Sequence, residues 1–331
     1  MKAIRLHARG GPEQLVYEDA PQPTLAAGDA LVRIFATSIT RTELTWDQTY
    51  QNADGSPRFP TIPGHEFSGI VESLPPGADG LAIGDAVYGL ADFPRNGAAA
   101  EYLAVRATHL AHKPRTVDHV RSAAVTLSGL TAWQALFTHG NLLPGQSVLI
   151  HGGAGGVGVF AVQLAHWKGA HVIATSSAAN FDFLRSLGAD EVIDYTKTRF
   201  EAQVSKVDLV LDAVGGDTVD RSWQLLRPNG MLISIATSIS PGEPKKHGAR
   251  GLFFIVEPSR DQLDQLATLV DSGILKIEIA NVFPLAQARA AFEEGLKEHT
   301  RGKIVLQVRD EAIHDLTTRS TAHAAISSIN L

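Results

Sequence analysis

The spacing of apolar positions changes near the middle of the chain, where short apolar runs begin to alternate with longer patterns of helical period. The runs predict strands at 148–151, 171–175, 191–193, 208–211 and 231–235, and the longer patterns predict helices at 157–168, 181–187 and 218–226. Strands that alternate with helices pair in parallel, with the helices on both faces of the sheet. We therefore expect a doubly wound α/β domain in this half of the chain.

The sequence on either side of this region has a different pattern of apolar and turn residues. Before it, short strands separated by turn residues indicate an irregular, mostly β domain, with strands at 31–35, 69–72, 86–89 and 101–105 and then a helix at 120–137. After it we expect a helix at 259–273, a segment at 274–283, a helix at 285–298 and a last strand at 303–308. Residues 310–331 are rich in Thr, Ser and Ala, and we expect a loosely held tail there.

The turn between the first strand and the first helix of the α/β region is dense in glycine. Gly153, Gly155 and Gly158 occupy the positions of a G-x-G-x-x-G motif. Without Cβ atoms the turn can be tight and its N–H groups can approach a pyrophosphate, which the helix N-terminus also attracts. A strand precedes this loop and a helix follows it, as the motif requires, so we predict a dinucleotide site; the alternative is a purely structural turn. The predicted contacts are Gly153, Ala154, Gly155, Gly156, Val157 and Gly158.

The end of the next strand bears on the choice of cofactor. A protein that prefers NAD places Asp or Glu there to bind the ribose 2′-hydroxyl. This chain has Ser176 and Ser177 instead, whose hydroxyls can donate to a 2′-phosphate, so NADPH is favoured. The alternative is an ordinary serine-rich turn, because the nearest cation along the sequence is Arg185, two helical turns further on.

Composition and charge narrow the class of protein. The chain has 331 residues and a net charge of −6 without long charged runs, which argues against nucleic acid or an anionic membrane as a partner. No apolar stretch reaches the roughly 18 residues of a membrane span, and the N-terminus lacks the apolar core of a signal peptide, so we expect a cytoplasmic protein. The chain has no cysteine, which removes disulfides, thiolate nucleophiles and thiolate metal sites.

Several further motifs occur in order along the chain. They lie at 63–69 with Val71, 84–87, 97–102, 127–136, 187–190 with 193–195, 212–216 and 302–306. Together with the glycine loop, this set resembles the medium-chain dehydrogenase/reductase superfamily and, within it, the zinc-independent quinone oxidoreductases. The resemblance covers roughly residues 1–308.

The resemblance implies a Rossmann cofactor domain inserted into a GroES-like catalytic domain, with the nicotinamide in the cleft between them. The expected boundaries are 1–119 and 275–331 for the GroES-like domain and 120–274 for the Rossmann domain. Because relatives are commonly homodimers, a homodimer is expected. The residues that the resemblance adds to the cofactor site are Thr131, Tyr195, Val214, Ala236, Phe254, Ile255, Val256 and Lys303.

The chain departs from the zinc-dependent members of this superfamily. Those relatives place a Cys near Thr40, a His at His65 and a second Cys near Leu127 or Ser128, and only the His is present here. A catalytic zinc normally has three protein ligands. We therefore expect no metal, and we interpret His65 as a hydrogen-bonded polar residue under the cleft.

Without cysteine or metal, the chemistry is expected to be that of the cofactor, which passes a hydride to a quinone or to the β-carbon of an enone. Candidates for stabilising the negative charge on the acceptor oxygen are the hydroxyls of Thr40 and Tyr50. Trp46, Phe253 and Phe254 are expected to form apolar walls that exclude water.

The sequence allows alternatives for the role of Thr40 and for the function of the protein. Thr40 has a second interpretation, in which it and Glu43 cap a helix that starts near Arg41. The enzyme also has alternatives: a non-catalytic NADPH-binding structural or regulatory protein, or an alcohol dehydrogenase, which the missing cysteines argue against.

Overall fold

The chain forms two main β-sheets, which draw on different stretches of sequence. The computed structural model describes residues 1–52, 54–297 and 300–311, so the predicted tail at 310–331 lies almost entirely outside the described residues. The first stretch contains β1 (Lys2–Leu6), β2 (Leu15–Asp19), β3 (Asp29–Ser38), α1 (Asp47–Tyr50), β4 (Glu66–Ser73), β5 (Ala86–Leu90), β6 (Tyr102–Arg106) and β7 (Leu110–His112).

The remaining elements follow in two groups. The middle stretch contains α2 (His119–Trp133), β8 (Ser147–His151), α3 (Gly158–Trp167), β9 (His171–Ser176), α4 (Phe181–Ser186), β10 (Glu191–Asp194), β11 (Val207–Asp212), α5 (Asp217–Ser222), β12 (Leu226–Ser234), α6 (Glu243–Lys246), β13 (Arg250–Phe253) and α7 (Arg260–Asp271). The last stretch contains β14 (Ile279–Pro284), α8 (Ala288–Leu296) and β15 (Lys303–Gln307). Among the described residues, every helix is too short or too polar to cross a lipid bilayer.

The middle stretch forms a parallel sheet of strand order β10-β9-β8-β11-β12-β13. Its central strand β8 is apolar on both faces, with Val148, Leu149 and Ile150 fully buried, as expected where helices cover both sides. The strand order reverses beside β8, and a crevice for ligands opens at such a point, outside the carboxyl ends of the strands. The predicted doubly wound α/β domain is confirmed.

The second main sheet combines the two ends of the chain. Its order is β14-β15-β3-β4-β5-β7, with β6 also paired to β3. The last strand runs antiparallel to β3, with Val305 opposite Ser38, so the C-terminal segment returns to the N-terminal lobe. The fold class, a GroES-like domain with a Rossmann domain, is confirmed, whereas the boundaries 1–119, 120–274 and 275–331 stay predictions.

Helix α2 packs between the two lobes. It contacts β3, β4 and β15 on one side and α3 and α7 on the other. The carboxylate of Asp118 caps its first turn by accepting the N–H of Arg121 at 2.7 Å. Beyond Trp133 the helix widens into a π-helical turn, Gln134–His139, inside the segment that the periodicity assigned to one continuous helix.

Three local predictions were wrong. No α-helix starts near Arg41, because the chain makes a single 3-10 turn there, Glu43–Thr45. The helix expected at 218–226 ends early, since β12 already begins at Leu226. The edge strand β13 was missed because four residues that include Gly251 carry no readable alternation.

Candidate functional site

The glycine loop lies at the carboxyl end of β8, where the strand order reverses. A Cβ on Gly158 would stand 2.1 Å from the carbonyl oxygen of Gly152, and one on Gly153 would stand 3.0 Å from the Cβ of Ala174. Real Cβ atoms do not approach backbone as closely as at Gly158, so that position requires glycine, and position 153 leaves little room for a side chain. The tight turn and the close packing of α3 on the sheet therefore follow from the sequence of this loop.

Several N–H groups of the loop have no hydrogen-bond partner among the described residues. They belong to Ala154, Gly156, Val157 and Gly158, at the start of α3. Unpaired N–H groups at a helix N-terminus, together with the positive end of the helix dipole, form a site for an anionic group. The loop therefore fits the pyrophosphate of a dinucleotide.

The other predicted cofactor residues gather at the same edge of the parallel sheet. Ser176 ends β9, Val214 follows β11, Ala236 follows β12 and Phe254 follows β13. Carboxyl ends of parallel strands meet at one edge, so the order of elements brings these residues together. Tyr195, Val214 and Ile255 are 52%, 55% and 51% exposed, which leaves large apolar side chains available for a ligand to cover.

Asp212 shapes two of these loops and was not among the predicted site residues. Its buried carboxylate accepts the N–H groups of Val214 and Gly215 and the hydroxyl of Ser234. Burial raises the pKa of Asp212. The Ser234 hydroxyl oxygen in turn accepts the N–H of Ala236 at 3.3 Å. The acidic residue that opens the motif at 212–216 was the available signal.

Arg301 lies at the turn that follows Ser176 and Ser177. Its Nε donates to the side-chain oxygen of Asn180 at 3.1 Å, and the Asn180 amide donates to the Ser177 hydroxyl at 3.4 Å. The guanidinium also packs 4.4 Å over the ring of Phe183. Sequence reasoning missed this cation because it comes from the C-terminal segment, over a hundred residues from the serines.

A polar cluster lies where the two lobes meet. It is composed of the half-buried Thr40 and the buried Glu43, His65, Glu66 and Lys303. The Lys303 ammonium donates to Glu66 Oε1 at 2.6 Å and to the Ile39 carbonyl at 3.2 Å, and the Thr40 hydroxyl donates to the same Glu66 oxygen at 3.3 Å. Both charged side chains are at most 5% exposed. The opposite carboxylate oxygen, Oε2, is buried without a hydrogen bond among the described residues.

Lys303 also joins this cluster to the glycine loop. The N–H of Gly302 donates to the Ala154 carbonyl at 3.1 Å. A Cβ on Gly156 would lie 3.2 Å from Cδ of Lys303, so the stem of the lysine runs against the loop. Lys303, at the start of β15, thus contacts both the glycine loop and the polar cluster.

The second half of the cluster pairs Glu43 with His65. The Glu43 carboxylate accepts the N–H of Gly64 at 2.6 Å, and burial raises its pKa to about 7. Burial lowers the pKa of His65 to about 3, so the ring is neutral. His65 Nε2 is 3.3 Å from Glu43 Oε1 but outside hydrogen-bonding geometry, and neither ring nitrogen has a partner among the described residues. The predicted hydrogen-bonded state of His65 is wrong.

Two aromatic side chains pack against the buried His65 ring. The rings of Trp46 and Phe93 lie 6.3 and 4.7 Å from the imidazole, centre to centre, and 5.7 Å from each other. Both pack, as Phe254 does, against the core cluster that contains Val256. Trp46 is therefore placed beside the polar cluster, as an apolar wall requires, while Phe253 lies within β13 opposite Ser234.

The hydroxyls of two predicted site residues, the candidate donor Tyr50 and the cofactor contact Thr131, are engaged elsewhere. The Tyr50 hydroxyl is buried and donates to the Leu44 carbonyl at 2.8 Å, with the Gly10 carbonyl at 3.1 Å, so the structure removes Tyr50 from the candidate donors. The Thr131 hydroxyl donates within α2 to the Leu127 carbonyl. The capping role considered for Thr40 is also wrong, because no side chain caps the turn Glu43–Thr45.

Two family models and several known proteins match this chain. A family model described as "Alcohol dehydrogenase GroES-like domain" matches residues 26–115, and one described as "Zinc-binding dehydrogenase" matches residues 187–306. A probable zinc-binding oxidoreductase of mitochondria from Arthroderma benhamiae is 33% identical over 310 residues, which cover 87% of this chain and 91% of that protein. The chain belongs to the medium-chain dehydrogenase/reductase family. Within that family it is quinone oxidoreductase-like, which confirms the resemblance.

Two further similar proteins have an activity in their names. A chloroplast NADPH-dependent alkenal/one oxidoreductase from Arabidopsis thaliana is 31% identical over 317 residues, with 92% of this chain and 79% of that protein covered. The structure of the quinone oxidoreductase from Coxiella burnetii matches with a TM-score of 0.83 and 33% identity, over 93% of this chain and 99% of that chain.

Two of the descriptions name zinc, but the residues of this chain do not fit a catalytic zinc site. At the positions where the resemblance places thiolates, this chain has Thr40 and Leu127 or Ser128, and none of these is a thiolate. Within the part of the chain that the structure describes, no group of three or more His, Cys, Asp or Glu side chains is arranged to hold a metal ion. We therefore derive no chemical step through a metal.

The buried Lys303–Glu66 pair leads to a prediction on stability. Replacing Lys303 with Met leaves the Glu66 carboxylate buried without its cation, and we expect the free energy of unfolding to fall by about 3 to 5 kcal/mol. Urea denaturation followed by circular dichroism measures this loss. As a control, Lys297→Met breaks an exposed pair with Glu294 and should leave stability unchanged within error. Equal losses in the two variants would contradict a structural role for the buried pair.

Proposed function

We propose that this protein is an oxidoreductase that transfers a hydride from NADPH to a quinone or to an activated alkene, an α,β-unsaturated carbonyl compound, without zinc. One observation carries the proposal: the glycine loop, with its unpaired N–H groups, is joined through Gly302 and Lys303 to the polar cluster, in which the Thr40 hydroxyl donates a long hydrogen bond to Glu66. The printed activities of the alkenal/one and quinone oxidoreductase relatives support it.

In such a reaction the chain's own residues stabilise the negative charge on the acceptor and keep water away from it. NADPH, when bound, supplies the hydride. Negative charge then develops on the acceptor oxygen, and buried donors stabilise such charge more strongly than water does. Thr40 can turn its O–H from Glu66 to that oxygen, because Lys303 keeps the Glu66 carboxylate paired. Trp46 and Phe254 exclude water from the acceptor.

The proposed preference for NADPH over NADH rests on the side chains of Ser176, Ser177 and Arg301 at one turn. No carboxylate ends β9, and the Ser176 hydroxyl donates only to the neighbouring Ser177 carbonyl, at 3.0 Å. Arg301 adds a cation, held through Asn180 and Phe183. A guanidinium and hydroxyl donors are the groups that recognise a phosphate, so this turn suits the 2′-phosphate of NADPH. The homodimer and the cytoplasmic location stay predictions.

The decisive experiment is steady-state oxidation of NADPH with a panel of quinones and enones, before and after dialysis against a strong chelator. We expect turnover with at least one acceptor class and unchanged rates after dialysis. NADPH binding without turnover on any acceptor would favour the non-catalytic alternative. Stoichiometric zinc that is lost together with activity would point instead to a zinc-dependent dehydrogenase.

The cofactor preference gives a second prediction. A hydrogen bond to a charged partner contributes roughly 1.5 to 3 kcal/mol, so Arg301→Gln should weaken NADPH binding at least about tenfold while NADH binding stays nearly constant. Ser176→Asp should shift preference toward NADH by placing a carboxylate against the phosphate. Arg185→Gln is the matched control, because Arg185 is near in sequence but pairs with Asp182. Equal affinity of the unmodified protein for both cofactors would refute the assignment.

The role of Thr40 gives a third prediction. Removing the main donor to a developing oxyanion typically costs about 10²- to 10³-fold in turnover, so Thr40→Val should lower kcat by about 10²-fold and leave NADPH affinity nearly unchanged. Thr45→Val is the control, since the Thr45 hydroxyl donates to the Thr42 carbonyl in the same turn. The measurement is kcat, cofactor affinity and melting temperature for both variants. An unaltered kcat in Thr40→Val would remove Thr40 from the mechanism.

A further inference from the structure

The segment between β13 and α7 has no helix or strand, although it carries three of the predicted nicotinamide contacts. It begins at the carboxyl end of β13, at the same sheet edge as the glycine loop, with Phe254, Ile255 and Val256 in succession. Val256 is buried in the core, whereas Ile255 is half exposed. An irregular segment of this kind needs other contacts to hold its backbone in one conformation.

Those contacts come from a single side chain. Between Ile255 and Pro258, the hydrogen bonds to backbone in the described part of the chain are all at Glu257, and all involve Gln134. The Gln134 amide nitrogen donates to the Glu257 carbonyl at 2.8 Å, and its amide oxygen accepts the Glu257 N–H at 3.1 Å. The same nitrogen donates to Gln262 on α7 at 2.8 Å. One amide therefore pairs with both the N–H and the carbonyl of Glu257 and holds the segment in place.

The π-helical turn explains how Gln134 reaches this position. Such turns are rare, and they occur frequently at functional sites. Here the turn starts at Gln134, whose side chain is 5% exposed. It ends at His139, whose ring packs 4.6 Å from that of Phe254. The widened turn thus holds the segment at two points, by an amide pair and by a ring contact.

We propose that Gln134 is a positioning residue for hydride transfer, which sets the place of the nicotinamide through the segment 254–257. This inference rests on the proposed function, because it needs the nicotinamide to lie against that segment. Hydride transfer depends on the distance and alignment of the reacting carbons, and a misplacement of about 1 Å can cost on the order of 10²-fold in rate. Loss of the amide should therefore affect chemistry more than cofactor affinity.

The chain contains a matched control in Gln163. This buried glutamine makes the same pair of bonds to another backbone, since its nitrogen donates to the Lys276 carbonyl at 3.0 Å and its oxygen accepts the Lys276 N–H at 2.8 Å. Lys276 precedes β14, in the segment after α7, and belongs to none of the predicted cofactor contacts. A change at Gln163 removes equivalent hydrogen bonds without touching the segment 254–257.

The experiment compares Gln134→Leu with Gln163→Leu. We expect similar losses in melting temperature, but only Gln134→Leu should lower kcat, by about 10- to 100-fold, and speed amide hydrogen exchange at 255–257. Affinity for adenosine 2′,5′-bisphosphate, which lacks the nicotinamide, should stay within about twofold of the unmodified protein in both variants. A structural role alone would reduce this affinity and kcat together.

Several outcomes would overturn the inference. It fails if the two variants have the same kcat, or if exchange at 255–257 does not change in Gln134→Leu. If that variant does not fold, Gln134→Glu replaces it: the carboxylate keeps the bond from the Glu257 N–H and loses both donated bonds, and an unchanged kcat there also refutes the inference. If the unmodified protein oxidises no NADPH, the proposed function fails instead, and the exchange measurement still tests the anchoring.

Discussion

The ion pair between Lys303 and Glu66 is the interaction on which the arrangement of the site depends. Two opposite charges at most 5% exposed stabilise each other only while both are present. Lys303 begins β15, which pairs with β3, and its stem lies against Gly156 in the glycine loop. The pair thus fixes the C-terminal strand, the cofactor loop and the Thr40 hydroxyl relative to one another. A shift of any one of them would separate a buried charge from its partner.

Local sequence patterns were sufficient to predict most elements of the parallel-sheet domain. The strand, glycine loop and helix at 147–167 follow one another within 21 residues, and the steric demand for glycine at 158 arises from that same stretch. The buried parallel strands were readable for a similar reason, because their apolar runs need no knowledge of the partner strand. The 3-10 turn at 43–45 was misread since Thr before a polar run looks like an N-cap, whereas the side chain turns to Glu66.

Contacts between distant segments could not be predicted in this way. Arg301 reaches the turn after Ser177, and Gln134 reaches Glu257, across more than a hundred residues each. Neither residue has a local pattern that marks it, because a single Arg in a loop or a single Gln in a helix has many ordinary roles. Tyr50 shows the converse error: its type suggested a donor, but its hydroxyl is used by the backbone of its own lobe. Residue type limits the possible chemistry, and only packing decides which atoms are available for it.

The charges of the polar cluster bear on the proposed chemistry. Lys303 compensates Glu66, and the remaining carboxyl, Glu43, has its pKa raised to about 7 by burial, so it is largely protonated below that pH. His65 is neutral because burial lowers its pKa to about 3. Below pH 7 the cluster therefore has almost no net charge, although it contains four ionisable groups. Such an environment adds almost no net negative charge near the Thr40 hydroxyl, which the proposed mechanism places against an acceptor oxygen that becomes negative.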